Sequence, residues 1–297
     1  MSTSAARRRI DLEGFNGIRL AADVAGDPNG PTVVLLHGGG QTRHAWGTTL
    51  EVLAGQGWHA HTVDLRGHGE SDWAADADYS IEAFAADVVA IANTFDEPPA
   101  LVGASLGGIS ALAAIGEYDG GPARDQLARA LVLVDVAPRM EDDGRRRIGA
   151  FMTAHLVDGF ASLDEVADAI SRYNPHRPRP SDYSGLRKNL RQRADGRWFW
   201  HWDPAFVSGK FGSDDETRSL ADPSRLEAAA RALTLPTLLV RGRTSDLLSE
   251  EGAREFLLLA PHAELADVAG AGHMVAGDRN DLFNDVVVRF LERTRSS

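Results

Sequence analysis

The sequence contains no cysteine, which excludes disulfides, thiolate nucleophiles and zinc sites with cysteine ligands. Positive charge is also in short supply. The chain has 31 Lys and Arg against 43 Asp and Glu, for a formal net charge of -12. Because no chain-wide positive field is available to hold a phosphate backbone, nucleic acid is not an expected partner.

Long hydrophobic runs are absent as well. No apolar run approaches the roughly 18 to 20 residues of a membrane span. The basic cluster from Arg7 to Arg9 is followed by no apolar segment of the kind found in secretion signals. No HExxH or paired-histidine spacing indicates a metal site, and no cofactor is expected. These absences predict a cytoplasmic protein without a membrane partner, and they leave its oligomeric state open.

Short Val- and Leu-rich runs that end in Gly or Asp alternate with longer amphipathic stretches. Continuous apolar runs of this length are typical of parallel strands covered by helices on both faces. The clearest runs begin at Thr32, His61, Pro99, Ala130 and Pro236. Helices are predicted after Ser80 and Ser249, two residues suited to capping a helix start. The first 26 residues alternate and turn at Asn16-Gly17, which predicts an antiparallel hairpin ahead of an α/β sheet.

The strand pattern breaks between about Arg139 and Asp222, where the sequence looks helical and no buried strand is evident. An insertion of this size between two sheet strands is expected to cover the strand ends as a substrate lid. We therefore predict three regions: an N-terminal core part (1–138), a helical cap (139–222) and a C-terminal core part (223–297).

The stretch "GASLG" places Ser105 between Gly103 and Gly107, after an apolar strand and before a helix. Glycines permit a sharp, crowded strand-to-helix turn that exposes the central serine at the helix N-terminus, where a developing anion is favoured. Similar glycine-rich turns also bind phosphate. A serine nucleophile therefore needs a base and an orienting acid elsewhere in the chain.

His273 is the predicted base, because it lies in a glycine-rich loop between the last predicted strand and the C-terminal helix. Asp246, in the loop after the strand that begins near Thr237, is the predicted acid that orients His273. Asp135, at the end of "LVLVD", is the competing candidate. We prefer Asp246 because a loop gives its carboxylate reach. The backbone N–H groups of Gly39 and Leu106 are the predicted donors to an oxyanion.

Together, "LLHGGG", "VDLRGHGESD" and "GASLGG" resemble motifs of the α/β-hydrolase superfamily, and the resemblance covers nearly the whole chain. The order Ser105, Asp246, His273 is similar to that family's order of nucleophile, acid and base. The resemblance implies a mostly parallel eight-stranded sheet with an antiparallel start and a lid after the sixth strand. It also implies a structural role for the loop from Asp64 to Asp72 and for His37.

Epoxide hydrolases and haloalkane dehalogenases of similar layout carry aspartate where this chain has Ser105, so acyl transfer is favoured over alkylation. The leading hypothesis is hydrolysis of a small carboxylic ester or lactone through an acyl-enzyme on Ser105. The alternatives are a carbon–carbon bond hydrolase, a cofactor-free perhydrolase, and a non-catalytic small-ligand receptor on the same fold, since a fold does not fix a substrate.

Four tryptophans are candidates for the substrate pocket. Alternation in "RWFWHW" turns three of them to one face of an extended segment, where they either line the pocket or pack the lid onto the body. The fourth follows the predicted oxyanion loop. These residues are Trp46, Trp198, Trp200 and Trp202.

Overall fold

The computed structural model describes residues 6–120, 126–175, 179, 183–208, 222–275 and 280–295. Its centre is an eight-stranded sheet with the order β1-β2-β4-β3-β5-β6-β9-β10, and β7 pairs with β8 outside it. The strands are β1 (Arg8–Glu13), β2 (Arg19–Ala25), β3 (Thr32–Leu36), β4 (His59–Val63), β5 (Ala100–Ala104), β6 (Ala130–Val134), β7 (Leu190–Gln192), β8 (Trp198–Trp200), β9 (Thr237–Gly242) and β10 (Glu264–Val268).

The antiparallel start of the sheet is confirmed. Strands β1 and β2 form a hairpin, and β2 runs antiparallel to β4, whereas every later pairing in the sheet is parallel. Asn16 and Gly17 in the hairpin turn have φ of 60° and 74°. This left-handed conformation is the one that Asn-Gly turns favour.

Helices cover both faces of the sheet and divide the core into two apolar layers. One layer packs α2, α3, α8 and α9 against the sheet, and the other packs α1 and α10. The helices are α1 (Gly47–Gly55), α2 (Ile81–Ala92), α3 (Leu106–Gly116), α4 (Asp142–Thr153), α5 (Leu163–Tyr173), α6 (Ser184–Arg187), α7 (Pro204–Ser208), α8 (Pro223–Ala232), α9 (Glu250–Leu259) and α10 (Asn280–Arg293). Within the described ranges, none of them is both long and apolar enough to cross a bilayer.

The predicted helix starts are also confirmed. The Ser80 side chain accepts a hydrogen bond from the Ala83 N–H at the start of α2, and Ser249 accepts one from Gly252 at the start of α9. Each hydroxyl satisfies one of the backbone donors that a first helical turn leaves without an acceptor.

The segment between β6 and α8 departs from the expectation of a purely helical insertion. It contains helices α4 to α7 and the short antiparallel pair of β7 and β8. Aromatic residues in "RWFW" form strand β8, in keeping with their strand propensity. Asp203, just beyond β8, ties this segment to the core. Its carboxylate accepts from the Tyr79 hydroxyl at 2.5 Å, and its N–H donates to the Gly67 carbonyl at 2.8 Å.

Candidate active site

Ser105 lies at the junction of β5 and α3 in a strained backbone conformation, with φ 45° and ψ -114°. The glycines around it are required by crowding. A Cβ on Gly103 would lie 2.5 Å from the Gly107 carbonyl oxygen, and one on Gly107 would lie 2.5 Å from that of Leu36. Strain of this kind persists only where the surrounding structure enforces it, and it is concentrated at functional sites. The turn thus has the strained, glycine-crowded backbone expected where a strand turns sharply into a helix at a nucleophile.

His273 is held by a buried carboxylate. Its Nδ1–H donates to Asp135 Oδ2 at 2.8 Å, and the Asp135 side chain is fully buried. Asp135 also accepts from the Ser245 hydroxyl at 2.5 Å and from the Gly242 N–H at 2.9 Å. The three hydrogen bonds fix the carboxylate in orientation. This fixes the Nδ1–H tautomer of His273, which leaves Nε2 free to accept a proton.

The expectation that Asp246 orients His273 is wrong. Asp246 instead forms an ion pair with Arg147 of α4 at 2.9 Å, and its side chain is 39% exposed. Asp135 takes the place because its φ of 51° turns the chain sharply at the end of β6. The carboxylate then lies against the loops that follow β9 and β10, so a residue directly at the strand end is close enough to contact His273.

Ser105, Asp135 and His273 come from three different strand ends that meet at one edge of the sheet. The Ser105 N–H donates to the Val134 carbonyl at 3.2 Å, which places Ser105 beside Asp135. The carboxyl edge of a parallel sheet, where these loops converge, is where α/β proteins bind their ligands.

The loop after β3 completes this edge. A Cβ on Gly38 would lie 3.3 Å from the Ser105 Cβ, so the loop passes directly over the serine. Gln41 joins the loop to the His273 region, because its side-chain amide lies 2.9 Å from Met274 Sδ and its carbonyl accepts from the Gly38 N–H at 3.0 Å.

Two backbone N–H groups are available beside Ser105. Gly38 donates to Gln41, and Gly40 donates to His68 Nε2 at 3.2 Å, but the Gly39 N–H between them has no acceptor among the described residues. Leu106 begins α3, so its N–H belongs to the first helical turn, which has no intrahelical acceptor. Neither N–H is used by another group within the described residues, so their role as donors to an oxyanion stays a prediction.

A family comparison agrees with this geometry. A model of the Alpha/beta hydrolase family matches residues 33–286. The chain belongs to the alpha/beta hydrolase family. A serine nucleophile and a catalytic triad are typical of this family, and the eight-stranded sheet is its fold.

The proteins to which this chain is similar in sequence are enzymes. It is 31% identical to the esterase Rv0045c of Mycobacterium tuberculosis, over 86% of this chain and 81% of that protein. It is 29% identical to the 3-hydroxybutyrate-oligomer hydrolase of Cupriavidus necator, over 86% of this chain and 87% of that protein. The crystal structure of E-2-(acetamidomethylene)succinate hydrolase superposes with a TM-score of 0.81 at 22% identity, covering 97% of this chain and 100% of that one, which shows a shared fold. This chain is a hydrolase.

Three buried histidines of this hydrolase support the loop that carries Gly39. His37 Nδ1–H donates to the Gly38 carbonyl at 2.8 Å, and its Nε2 accepts from the Leu65 N–H at 3.0 Å. His68 accepts from Gly40 and donates through Nδ1 to the Arg66 carbonyl at 2.9 Å. The structural roles expected for His37 and for the loop after β4 agree with these contacts.

The third histidine, His201, comes from the inserted segment. Its Nδ1 accepts from the Gly69 N–H at 2.7 Å, and its Nε2 lies 3.3 Å from the Gly40 carbonyl oxygen. Gly40 is therefore fixed at both its N–H and its C=O, one by His68 and the other by His201. The role of His201 is not predicted from the sequence. A histidine between two tryptophans carries no local pattern that would indicate a contact with a loop 161 residues away.

These three histidines are neutral. Burial lowers the pKa of His37, lowers the pKa of His68 well below its ordinary value, and lowers the pKa of His201 to about 3. In each ring one nitrogen donates to a backbone carbonyl and the other accepts from a backbone N–H. Protonation would remove the accepting lone pair and place a charge in an apolar environment.

This arrangement predicts acid sensitivity well above the range where carboxylates titrate. Unfolded histidines bind protons below about pH 6.5, whereas the folded ones stay neutral. The unfolded state therefore binds more protons, and the free energy of unfolding decreases as the pH is lowered. His201, with a folded pKa of about 3, contributes up to about 1.4 kcal/mol per pH unit between roughly pH 6.5 and 4.5, and His37 and His68 act in the same direction. Urea unfolding at half-unit pH steps measures how much the free energy of unfolding changes per pH unit. His201→Gln is expected to reduce this slope by the contribution of one histidine. A slope that is unchanged in His201→Gln would contradict the neutral state of His201.

Trp46 does not belong to the candidate pocket. It is 1% exposed and lies in the apolar layer of α1 and α10, with its ring 5.7 Å from that of Phe283. The short 3-10 turn after the oxyanion loop leads the chain to that layer and carries Trp46 with it. Its proximity in sequence to the loop was therefore misleading.

The three tryptophans of the inserted segment lie in different surroundings. Trp200 and Trp202 are buried with rings stacked at 4.9 Å, and Trp198 is half-buried with the Arg187 guanidinium 5.1 Å from its ring centre. Of the three, Trp202 lies next to the loop after β3, because a Cβ on Gly40 would lie 3.2 Å from its ring. Trp200 packs inside the inserted segment against Phe151 and Phe160.

Proposed function

We propose that this hydrolase cleaves small carboxylic esters or lactones through an acyl-enzyme on Ser105. In this proposal His273 is the general base, Asp135 orients His273, and the Gly39 and Leu106 N–H groups bind the oxyanion. The observation that carries it is the 2.8 Å hydrogen bond between His273 Nδ1 and the buried Asp135, beside the strained turn of Ser105.

The proposed reaction has two halves. His273 Nε2 takes the proton of Ser105 as its Oγ adds to the substrate carbonyl, and the negative charge passes to the carbonyl oxygen, where the Gly39 and Leu106 N–H groups stabilise it. The carbon–oxygen bond to the alcohol breaks, and His273 donates the proton to that alcohol. Water then adds to the acyl-enzyme with His273 again as base, and release of the acid restores Ser105.

The acyl or alcohol group of the substrate is proposed to be apolar. A Cβ on Gly39 would lie 3.7 Å from Met152 Sδ and 3.8 Å from the Phe206 ring, and both side chains are buried. With Trp202 they form an apolar wall from α4 and α7 over the predicted oxyanion loop. This supports a lid function for the segment 139–222. The names of the relatives, an esterase and an oligomer hydrolase, are consistent with ester substrates.

The first test of this proposal is stopped-flow release of p-nitrophenol from p-nitrophenyl butyrate. We expect a burst close to one equivalent per chain, followed by slower steady turnover, because an activated ester acylates Ser105 faster than water removes the acyl group. His273→Gln is expected to abolish the burst. His262→Gln replaces an exposed histidine that bonds the Leu235 carbonyl, and this control is expected to keep it.

Other outcomes would point to the alternatives. Ester turnover that is equal in wild type and His273→Gln would remove the acyl-enzyme proposal. Saturable binding of the ester without product release would favour a ligand receptor, and turnover only of a diketone would favour carbon–carbon bond hydrolysis.

A further inference from the structure

A cavity beside the loop after β3 is lined by none of Ser105, Asp135 and His273. Its volume is about 570 Å³, within the roughly 300 to 1,000 Å³ typical of small-ligand pockets. Strands β1 and β2, the loops after β3 and β4, and the inserted segment all contribute to its wall. Six of its lining residues are cations: Arg9, Arg19, Arg43, Arg187, Lys188 and Arg191.

The cations from the core side of this cavity are neutralised. Arg9 pairs with Glu70 at 3.0 Å, and Arg19 pairs with Asp72 at 2.7 Å. Arg43 is buried against Asp64 at 2.5 Å and also contacts Asp23. These pairs build a rigid wall but leave little net positive charge on it.

The cations from the inserted segment differ in this respect. Arg187, Lys188 and Arg191 form no ion pair with any carboxylate in the described part of the chain. Two of them are held by aromatic rings, with Arg187 lying 5.1 Å from the ring centre of Trp198 and Arg191 lying 4.8 Å from that of Trp73. Arg191 is further fixed by a 2.7 Å hydrogen bond to the Gly69 carbonyl.

Stacking on an aromatic ring orients a guanidinium while its edge N–H groups stay free to donate. Such groups match the paired oxygens of carboxylates and phosphates, and less side-chain entropy is lost when they bind because they are already oriented. The local charge has the right sign. Residues 172–197 contain eight Arg or Lys and two Asp, in a chain whose net charge is -12.

We propose that this cavity binds a small polyanion through carboxylate or phosphate groups, held by Arg187, Lys188 and Arg191. The site is separate from the proposed ester chemistry and does not depend on it. Thr42 and His201 also line the cavity. His201 also contacts Gly40, so a ligand that touches His201 in the cavity would be connected through this one side chain to the loop that carries Gly39.

The test is calorimetric titration of the whole chain with citrate and with inorganic phosphate at low ionic strength. We expect saturable binding that weakens at least tenfold in the triple variant Arg187→Gln, Lys188→Gln, Arg191→Gln. A control with the same loss of charge, Arg146→Gln, Arg254→Gln, Arg289→Gln, replaces exposed arginines outside the cavity and should change affinity less than twofold. Tighter citrate than phosphate binding would indicate an organic polyanion, and the reverse would indicate a free phosphate.

A second measurement uses wild-type protein alone and so does not depend on how the variants fold. Lys188 and Lys210 are the only lysines of the chain. Limited acetylation followed by peptide mass spectrometry measures the rate at each lysine. Citrate is expected to slow acetylation of Lys188 several-fold relative to sodium chloride at the same ionic strength. An acetylation rate at Lys188 that citrate leaves unchanged, or equal loss of binding in both triple variants, would overturn the proposal.

Discussion

Asp135→Asn is expected to lower kcat for ester hydrolysis roughly 10⁴-fold, the scale seen when the acid of a serine triad becomes an amide. Asparagine keeps the size of the side chain, but its NH₂ group cannot accept the His273 Nδ1–H. If the amide instead turns its oxygen toward His273 and Ser245, its NH₂ group faces the Gly242 N–H, which loses its acceptor. In either orientation the negative charge that stabilises the imidazolium is gone.

Asp246→Asn is the matched control for this substitution. It removes a half-exposed carboxylate whose partner is Arg147 on α4, and exposed ion pairs contribute roughly 0 to 1 kcal/mol. We expect kcat within about threefold of wild type. A large loss in Asp246→Asn with little loss in Asp135→Asn would show that the acid is Asp246 and that the hydrogen bond to His273 is not catalytic.

Ser105→Ala is expected to reduce kcat/KM by roughly 10⁴-fold to 10⁶-fold, because no other group then accepts the acyl chain. Stability should be nearly unchanged, since alanine experiences the same backbone strain as serine at φ 45°. Ser105→Gly should be equally inactive, and it is expected to be more stable than Ser105→Ala by about 1 kcal/mol because glycine tolerates this conformation. Thermal unfolding of the two variants measures the difference. Equal stability would mean that the turn carries no strain, and residual esterase activity near wild type would exclude Ser105 as nucleophile.

The sheet and the main helices could be predicted from the sequence because their signals are local. Buried parallel strands give continuous apolar runs, and the runs that begin at Thr32, Ala130 and Pro236 became β3, β6 and β9. Ser80 and Ser249 cap helices through hydrogen bonds within one turn. Ser105 and His273 could be named as candidates from a local motif and from a position after the last strand.

The acid partner of His273 could not be chosen from local pattern. Both Asp135 and Asp246 follow predicted strands, and the choice depends on a backbone angle. Asp135 has a positive φ, and the three donors that surround its carboxylate belong to residues more than 100 positions away. The sequence gives one indication in favour of Asp135, which is a charged residue at the end of a fully apolar strand. Burying a carboxylate is costly unless hydrogen-bond donors surround it.

The tryptophans and His201 show a similar limit. Trp46 follows the predicted oxyanion loop in sequence but packs in the apolar layer of α1 and α10. The path of the short turn after the loop decides this. His201 contacts Gly40 because the inserted segment folds back over the loop, and a single sequence does not encode that packing as a pattern.

Covalent trapping by diisopropyl fluorophosphate, read by intact-protein and peptide mass spectrometry, tests directly whether Ser105 is a nucleophile activated by His273 and Asp135. Attack by Ser105 Oγ forms a phosphorus–oxygen bond, fluoride leaves, and His273 takes the serine proton. We expect one phosphoryl group per chain on the peptide that contains Ser105. We also expect rapid labelling of wild type and Asp246→Asn, much slower labelling of Asp135→Asn and none of Ser105→Ala. Labelling of another residue, or equal rates in wild type and Asp135→Asn, would contradict a triad of Ser105, Asp135 and His273.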